Sequence, residues 1–385
     1  MRAEYKRLLC VSDAVSEFKR RMICIKRRKF MRMWKKIISV VLAAVFVSAT
    51  LAGCGNSSSV NSGDSDGKSE TQVQSTTESS GEYKLVIGHI NAETHTWHKM
   101  SEKFKESVES ATGGRVTVTI YPGSQLGTEI DMNMSAIAGD GSCDIVFTGE
   151  SMQTYESALG IIGMPYAITS DEHMDAVLNG EVGQELEDLM ENTGLHVLGA
   201  ITRGPRNVTA NKEIKTPADM KGFIIRTPES AMTMAAFEAM GAKPTPMAFS
   251  EIFSSLQQGV IDGQENPLAN IQDGAFYEVQ DYVIKTEHLR AWVYMAISAS
   301  RFNSFPEDIQ QAIQTAADEA IAYEHELFLA QEAELQAMLE SEGMTFVEVD
   351  QTPFKEAAVS GVLNVLDNNQ KAIYEKIVAA DPSVK

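Results

Sequence analysis

The sequence predicts an α/β protein folded as two lobes, on three observations. From Tyr83 onward, short β-type runs alternate with helical runs, the pattern of parallel strands linked by crossover helices. This alternating part runs to roughly 300 residues, more than one hydrophobic core comfortably serves, so a division in two is expected. Its sole cysteine is Cys143, so burial must hold it together without disulfides.

The elements follow in order. Residues 83–88 read as a strand. Trp97, Met100, Phe104 and Val108 recur at helical spacing and place an amphipathic helix over 95–112, ended by Gly113-Gly114. A second strand over 116–121 is stopped by Pro122-Gly123. A helix over about 128–138, a strand over 143–147, a helix over 171–193 and a strand over 195–199 come next. Thr216-Pro217-Ala218-Asp219 carries helix-start chemistry, with Thr as N-cap and Pro at the first position. Residues 223–226 form a strand, and helices at about 229–240 and 249–258 lead to Gly259-Val260-Ile261-Asp262-Gly263. Strands near 282–285 and 292–299 precede a long helix over 306–341, whose charges read as a solvated face. A short apolar run at 346–349 and a final helical stretch close the chain.

Ahead of this part lies an export signal. Residues 1–53 carry 13 Lys/Arg against 3 Asp/Glu and run into an uncharged apolar stretch over 37–50. That stretch is shorter than the ~20 residues of a membrane span and suits a signal-peptide core behind a basic flank. Leu51-Ala52-Gly53-Cys54 follows directly, small residues before a cysteine, in the order a lipoprotein signal peptidase accepts. A lipoprotein signal peptide is therefore expected over 1–53, with lipid on Cys54. Residues 54–82, rich in Ser, Gly, Thr and Asp, cannot bury a core. They read as a lipid-anchored flexible linker with an end-to-end distance on the order of 30 Å, holding the domain at the outer face of the cytoplasmic membrane. Removing a leader of charge +10 from a chain of charge −20 leaves −30. Nucleic acid is then excluded as a partner, because its binding rests on Lys/Arg neutralising phosphates.

Catalytic signatures are missing from the folded part: no His-Glu-x-x-His, no Cys-x-x-Cys and no phosphate-cradling glycine loop. Gly63-Asp64-Ser65-Asp66-Gly67 matches a nucleophile elbow only in letters, since it sits in the linker without a strand before it or a helix after it. Cys143 reads as a buried structural thiol. His89, His95 and His98 cluster, but a metal site wants three or four ligands with supporting groups. They are expected to line the mouth of a cleft, and neither a metal nor a cofactor is expected.

The informative region is 203–290. Arg226 ends a strand and is followed by Pro228. A guanidinium at the carboxyl end of a strand in an open α/β sheet points into the crevice where ligands bind, and its planar fork grips a carboxylate with two hydrogen bonds. The spacing leaves two possibilities equally open: Arg226 holds an anionic ligand, or it pairs with a structural carboxylate.

Several strings together are similar to a known family: Arg203-Gly204-Pro205-Arg206, Phe223-Ile224-Ile225-Arg226-Thr227-Pro228, the run from Pro244 to Pro267, and Tyr121-Pro122-Gly123-Ser124-Gln125-Leu126-Gly127. They resemble the substrate-binding subunit of tripartite ATP-independent periplasmic (TRAP) transporters, the DctP-type family of C4-dicarboxylate and sialic acid receptors, over about 84–380. The resemblance implies a type II periplasmic-binding-protein-like fold with crossing strands and a long lobe-spanning helix. Lobe I is then expected over 83–203 plus about 292–331, and lobe II over 204–291 plus about 332–385. The resemblance implies that Arg226 forms the salt bridge to the ligand carboxylate, Arg206 serves as a second arginine, Asn266 hydrogen-bonds the same carboxylate, and Phe249 packs on the ligand body. Glu150 accepts from ligand hydroxyls, and Glu265 and His288 lie near the site. Glu229 departs from the asparagine of sialic acid receptors. A carboxylate beside Arg226 disfavours a second negative charge on the ligand, and with Gln264 it tilts the expectation toward a sugar acid such as a hexuronate, with a C4-dicarboxylate or sialic acid as alternatives. The implied partners are a small organic acid and the small and large membrane subunits, for a monomer that closes on its ligand without chemistry. Two other readings are an enzyme on the same fold, which needs an acid–base pair in the cleft, and a receptor serving a signalling protein.

Met31-Arg32-Met33-Trp34-Lys35-Lys36 already forms a complete basic region, so translation is expected to start at Met31 or Met33. Peptide mapping of the unprocessed precursor should find no fragment from residues 1–30, and labelled palmitate should enter the wild type but not Cys54→Ala.

Overall fold

The computed structural model describes residues 82–384; the leader, Cys54 and the linker lie outside them. Eleven strands form two sheets. β1 (Tyr83–Gly88), β2 (Val116–Tyr121), β3 (Ile145–Thr148), β4 (Leu195–Thr202), β5 (Arg206–Ala210), β6 (Ile224–Thr227), β7 (Lys243–Pro246), β8 (Gly263–Asn266), β9 (Tyr282–Leu289), β10 (Trp292–Ser298) and β11 (Thr345–Val347) follow in chain order. The first sheet has the order β2-β1-β3-β10-β4 and the second β11-β9-β5-β8-β6-β7. Besides the helical stretch that leads from β10 to β11, the chain passes between them directly twice, from β4 into β5 and from β9 into β10. Each passage leaves one strand running against its neighbours: β10 is antiparallel to β3 and β4, and β5 to β8 and β9. The other pairings join parallel strands. This is the two-lobed α/β architecture expected, with crossing strands at its centre.

Local chemistry accounts for most elements. The helix Thr96–Ala111 buries Trp97, Met100, Phe104 and Val108 on one face, and the His95 ring caps it by accepting from the Trp97 N–H. Thr128 and Asp131 form a reciprocal capping box ahead of Glu129–Ala138, which ends on Gly139 at φ 63°. The expected helix over 171–193 is instead two helices, Asp171–Leu178 and Glu181–Thr193. Asn179 closes the first and Gly180 opens the second, where a Cβ would stand 2.6 Å from the Ala176 carbonyl oxygen. Strands β5, β7 and β8 had no apolar alternation to announce them: Lys243-Pro244-Thr245-Pro246 and Gly263-Gln264-Glu265-Asn266 are polar or proline-bearing, and only the sheet places them.

The helix Glu307–Ser341 has 35 residues, about 50 Å at 1.5 Å per residue. Near its start Ile309, Ile313, Ala316, Ala317 and Ala320 join the core of the first sheet, while near its end Leu339 packs with Ile252, Ile271 and Val283 of the second. It therefore serves both lobes. The last two helices divide their packing. Thr352–Leu363 lies on Ala231–Ala239, whereas Asn368–Ala380 packs against 157–163 and the helices of 171–193, although the expected boundary had grouped it with lobe II.

The long helix is not solvated along its whole charged face. Glu324 is buried and accepts a 2.7 Å hydrogen bond from the Thr96 hydroxyl. Burial raises its pKa to about 7, partly opposed by Thr96. Between about pH 4.5 and 7 the unfolded chain loses this proton while the folded protein keeps it, so stability falls as pH rises through that window and levels off above it. The loss is at most about 3 kcal/mol. Glu324→Gln, which keeps the Thr96 contact, should flatten this part of the pH–stability profile and raise Tm at pH 8 by a few degrees; equal profiles in calorimetry would contradict it.

Candidate functional site

The two passages between sheets bring the strand ends of both lobes to one cleft of ≈ 460 Å³, inside the range of about 300–1,000 Å³ usual for small-molecule sites. Arg203, Arg206, Arg226, Glu150, Glu229, Phe249 and Asn266 all line it.

Arg226 is the third residue of β6, held between β7 and β8 with 5% of its surface exposed. Its Nε and Nη2 both donate to the Met247 carbonyl oxygen, at 2.9 and 2.7 Å. Among the described residues it has no carboxylate partner, so it does not form the structural pair that was one of the two possibilities the spacing left open. Burial lowers its pKa to about 10; Glu265 opposes the shift and Arg206 adds to it.

The neighbouring arginines are already engaged. Arg206 opens β5, antiparallel to the strand that carries Glu265 and Asn266. Its Nε and Nη2 grip Glu265 Oε2 and Oε1 at 2.5 and 2.8 Å, and Nη2 also reaches the Glu265 carbonyl at 2.8 Å and Asn266 Oδ1 at 3.1 Å. His288 Nε2 lies 3.0 Å from Glu265 Oε2, and the Thr286 hydroxyl is 2.9 Å from His288 Nδ1. Burial alone would push Glu265 up, but the charge and hydrogen bonds of Arg206, with His288, bring it down to about 2. Glu265 and His288 thus stand behind Arg206 and do not border the cleft. Arg203, quoted in the motif but given no role from sequence, donates through Nη2 to Glu150 Oε2 at 2.9 Å. Burial works against ionisation of Glu150, and the charges of Arg203 and Arg206 overcome it.

At the opposite wall Glu129 opens its helix and accepts from the Thr148 hydroxyl at 3.0 Å and from the Ser151 hydroxyl. Burial and the charge of Glu150 raise its pKa. Sequence reasoning missed it, because a glutamate in a helix's first turn ordinarily just complements the dipole. Glu229 is exposed at the rim. Phe249 leans on Phe276 with ring centroids 5.7 Å apart, and Trp97, Ile90 and Val293 complete the apolar walls.

The three histidines do not line the cleft. His89 and His95 are buried: His89 Nε2 meets His98 Nδ1 at 3.2 Å, and His95 caps a helix. Desolvation lowers His89 to about 4 and His95 to about 3, helped by His98 for the former and His89 for the latter. Among the described residues no group of three or more His, Cys, Asp or Glu could hold a metal.

The sequence model of bacterial extracellular solute-binding protein family 7 (DctP) matches residues 87–368. The chain belongs to this family, the solute-binding subunits of TRAP transporters. This TRAP solute-binding protein is 42% identical over 297 residues to solute-binding protein RD1_1052 of Roseobacter denitrificans, covering 77% of this chain and 91% of the relative. The crystal structure of that protein holds L-galactonate and superposes with a TM-score of 0.75 over 77% of this chain and 99% of the other. The 2,3-diketo-L-gulonate-binding periplasmic protein of Escherichia coli is 30% identical over 276 residues, 71% of this chain and 84% of the relative. A TRAP protein from Xanthobacter autotrophicus, solved with β-D-galacturonate, is 26% identical with a TM-score of 0.72, covering 78% of this chain and all of the other.

A buried pair broken on one side leaves a charge uncompensated and costs roughly 3–5 kcal/mol. Glu265→Gln should therefore lower unfolding free energy by about that amount in chemical denaturation. Unchanged stability would mean that Arg206 does not depend on Glu265.

Proposed function

We propose that this TRAP solute-binding protein captures a monoanionic sugar acid, a hexuronate or aldonate, and releases it unaltered to the small and large membrane subunits. The observation that carries the reading is the count of uncommitted charge in the cleft. Three guanidinium groups border it, and Glu150 and Glu265 engage Arg203 and Arg206. Arg226 remains, with donors able to take one carboxylate in a forked contact. The rest of the cleft offers Glu129, Glu150, Glu229 and Ser151, which accept from hydroxyls, and the charged Glu150 and Glu229 repel a second negative charge.

That balance favours one carboxylate on a polyhydroxylated body over a C4-dicarboxylate, whose second carboxylate would find no unpaired cation. Asn266, already 3.1 Å from Arg206, has the place of a second carboxylate donor, and Phe249 that of a face for the carbon chain. The sugar acids held by the Roseobacter and Xanthobacter relatives support this reading, with sialic acid as the alternative ligand of the same charge. Lobe I would comprise 83–203, about 292–331 and the helix Asn368–Ala380 that packs on it, and lobe II 204–291 with about 332–363. Closure of the lobes excludes water from the ion pair and lifts it above an exposed pair, worth less than about 1 kcal/mol. Lipid on Cys54 and a linker over 54–82 would hold this monomer at the membrane beside its partners. A role as receptor for a signalling protein would use the same cleft.

A thermal-shift and calorimetric panel of galactonate, galacturonate, glucuronate, sialic acid and succinate should show sugar monoacids raising Tm and succinate not. Arg226→Ala should weaken capture of the best of them roughly 100-fold or more without lowering the Tm of the unliganded protein, because no buried carboxylate is left behind. Arg226→Lys should also bind far more weakly, having lost the fork. Undiminished affinity in Arg226→Ala would defeat the reading.

A further inference from the structure

We propose that two amide clamps hold the lobes shut: Asn91 with Asn270, and Gln153 with the backbone of residues 229–231. The inference rests on the solute-capture reading above and names the residues that stabilise its closed form.

Asn91 lies in the segment after β1, in the lobe of the first sheet, and Asn270 in the helix Leu268–Asp273 after β8, in the lobe of the second. Asn270 Nδ2 donates to Asn91 Oδ1 at 3.1 Å across 179 residues of chain. Both side chains are buried, and Asn270 borders the cleft. One turn further on, Asp273 Oδ2 accepts from the Ala92 N–H at 3.0 Å and doubles the contact. Asn91 is held ready for this. Its Nδ2 lies 3.2 Å from His95 Nδ1, and its carbonyl accepts from the Gly123 N–H at 2.7 Å. With Nδ2 committed to the helix-capping histidine, the amide can turn only its oxygen toward the other lobe.

The second clamp uses a different pair of segments. Gln153 follows β3 in the turn Glu150–Thr154. Its Nε2 donates to the Glu229 carbonyl oxygen at 2.5 Å, and its Oε1 accepts from the Ala231 N–H at 3.1 Å. One side chain thus satisfies a donor and an acceptor two residues apart, as a strand partner does. The residues it grips follow Arg226 by three and five positions and include Glu229 of the cleft rim.

Neither clamp involves a residue of the passages at 203–205 and 290–291. A rotation of the lobes that parts the atoms of either clamp would break it, and closure would re-form it. Hydrogen bonds of this kind are each worth about tenfold in an equilibrium, so the clamps act on how long a solute is retained, and Asn270 and Gln153 are positioning residues.

Two measurements test this. The first needs no solute. Met134 and Val260 are exposed, one in each lobe, and Cys143 is buried with its thiol pushed up to about 12, chiefly by burial. Spin labels on Met134→Cys and Val260→Cys should thus leave Cys143 unlabelled. Adding Asn270→Ala or Gln153→Ala should shift the distance distribution of the unliganded protein toward a more open form, and identical distributions overturn the clamps. The second is stopped-flow binding of L-galactonate followed by tryptophan fluorescence. Each of Asn91→Ala, Asn270→Ala and Gln153→Ala should raise the dissociation rate about tenfold, with the association rate within about twofold. The Asn91/Asn270 double variant should be no worse than its worse single, whereas Gln153→Ala should multiply with Asn270→Ala. Multiplying effects at Asn91 and Asn270 would make them separate solute contacts and overturn the first clamp. Distances that shift while wild type binds no sugar acid would uphold the clamps and sink the ligand reading alone.

Discussion

A guanidinium that is 5% exposed and bonded only to a backbone carbonyl is costly to keep charged. Of the carboxylates near Arg226, two are held by other cations and the third, Glu129, accepts from the Thr148 and Ser151 hydroxyls. Glu265 is locked between Arg206 and His288, and Glu150 faces Arg203. The antiparallel register of β5 on β8 sets this, because it pairs Val208 with Glu265, so that Arg206 two residues away reaches the carboxylate diagonally, and leaves β6 to present Arg226 on the far side of β8. Arg226 is thereby left without a carboxylate partner among the described residues.

The same economy of charge shapes the rest of the cleft. Glu129, Glu150 and Glu229 line the cleft, and on the proposed reading they accept from the ligand's hydroxyls. Phe249, Trp97 and Val293 give the carbon skeleton an apolar bed without competing for charge. Two lobes joined by two passages and one long helix can open to admit such a ligand, and polar contacts between them then decide how firmly they close.

Much of the fold could be read before any coordinates. Tyr83–Gly88, Val116–Tyr121 and the long helix fall where periodicity placed them, because alternating and helical burial leave a local imprint on the chain. The misread positions are those where tertiary context overrode that imprint. Gly180 divides a helix whose apolar pattern runs on, and Lys243–Pro246 and Gly263–Asn266 are strands only because a sheet edge and a sheet interior receive them. Glu324 looks like one more surface charge on an acidic helix, and it is buried because Thr96 and the neighbouring helix meet it there.

At the site, Arg226 could be singled out from its place at a strand end before Pro228, and the family resemblance named its companions. Which of the three arginines is left uncompensated could not be read this way. Arg203 and Glu150 are 53 residues apart, and Arg206 and Glu265 are 59. The histidines that cluster in the sequence turned inward to cap and pack, while Glu129 and Asn270 came to the cleft unannounced. Residue type and local period are written along the chain and so determine elements and chemical repertoire. Pairing energies depend on ångström separations between distant segments, and those exist only once the sheets have formed.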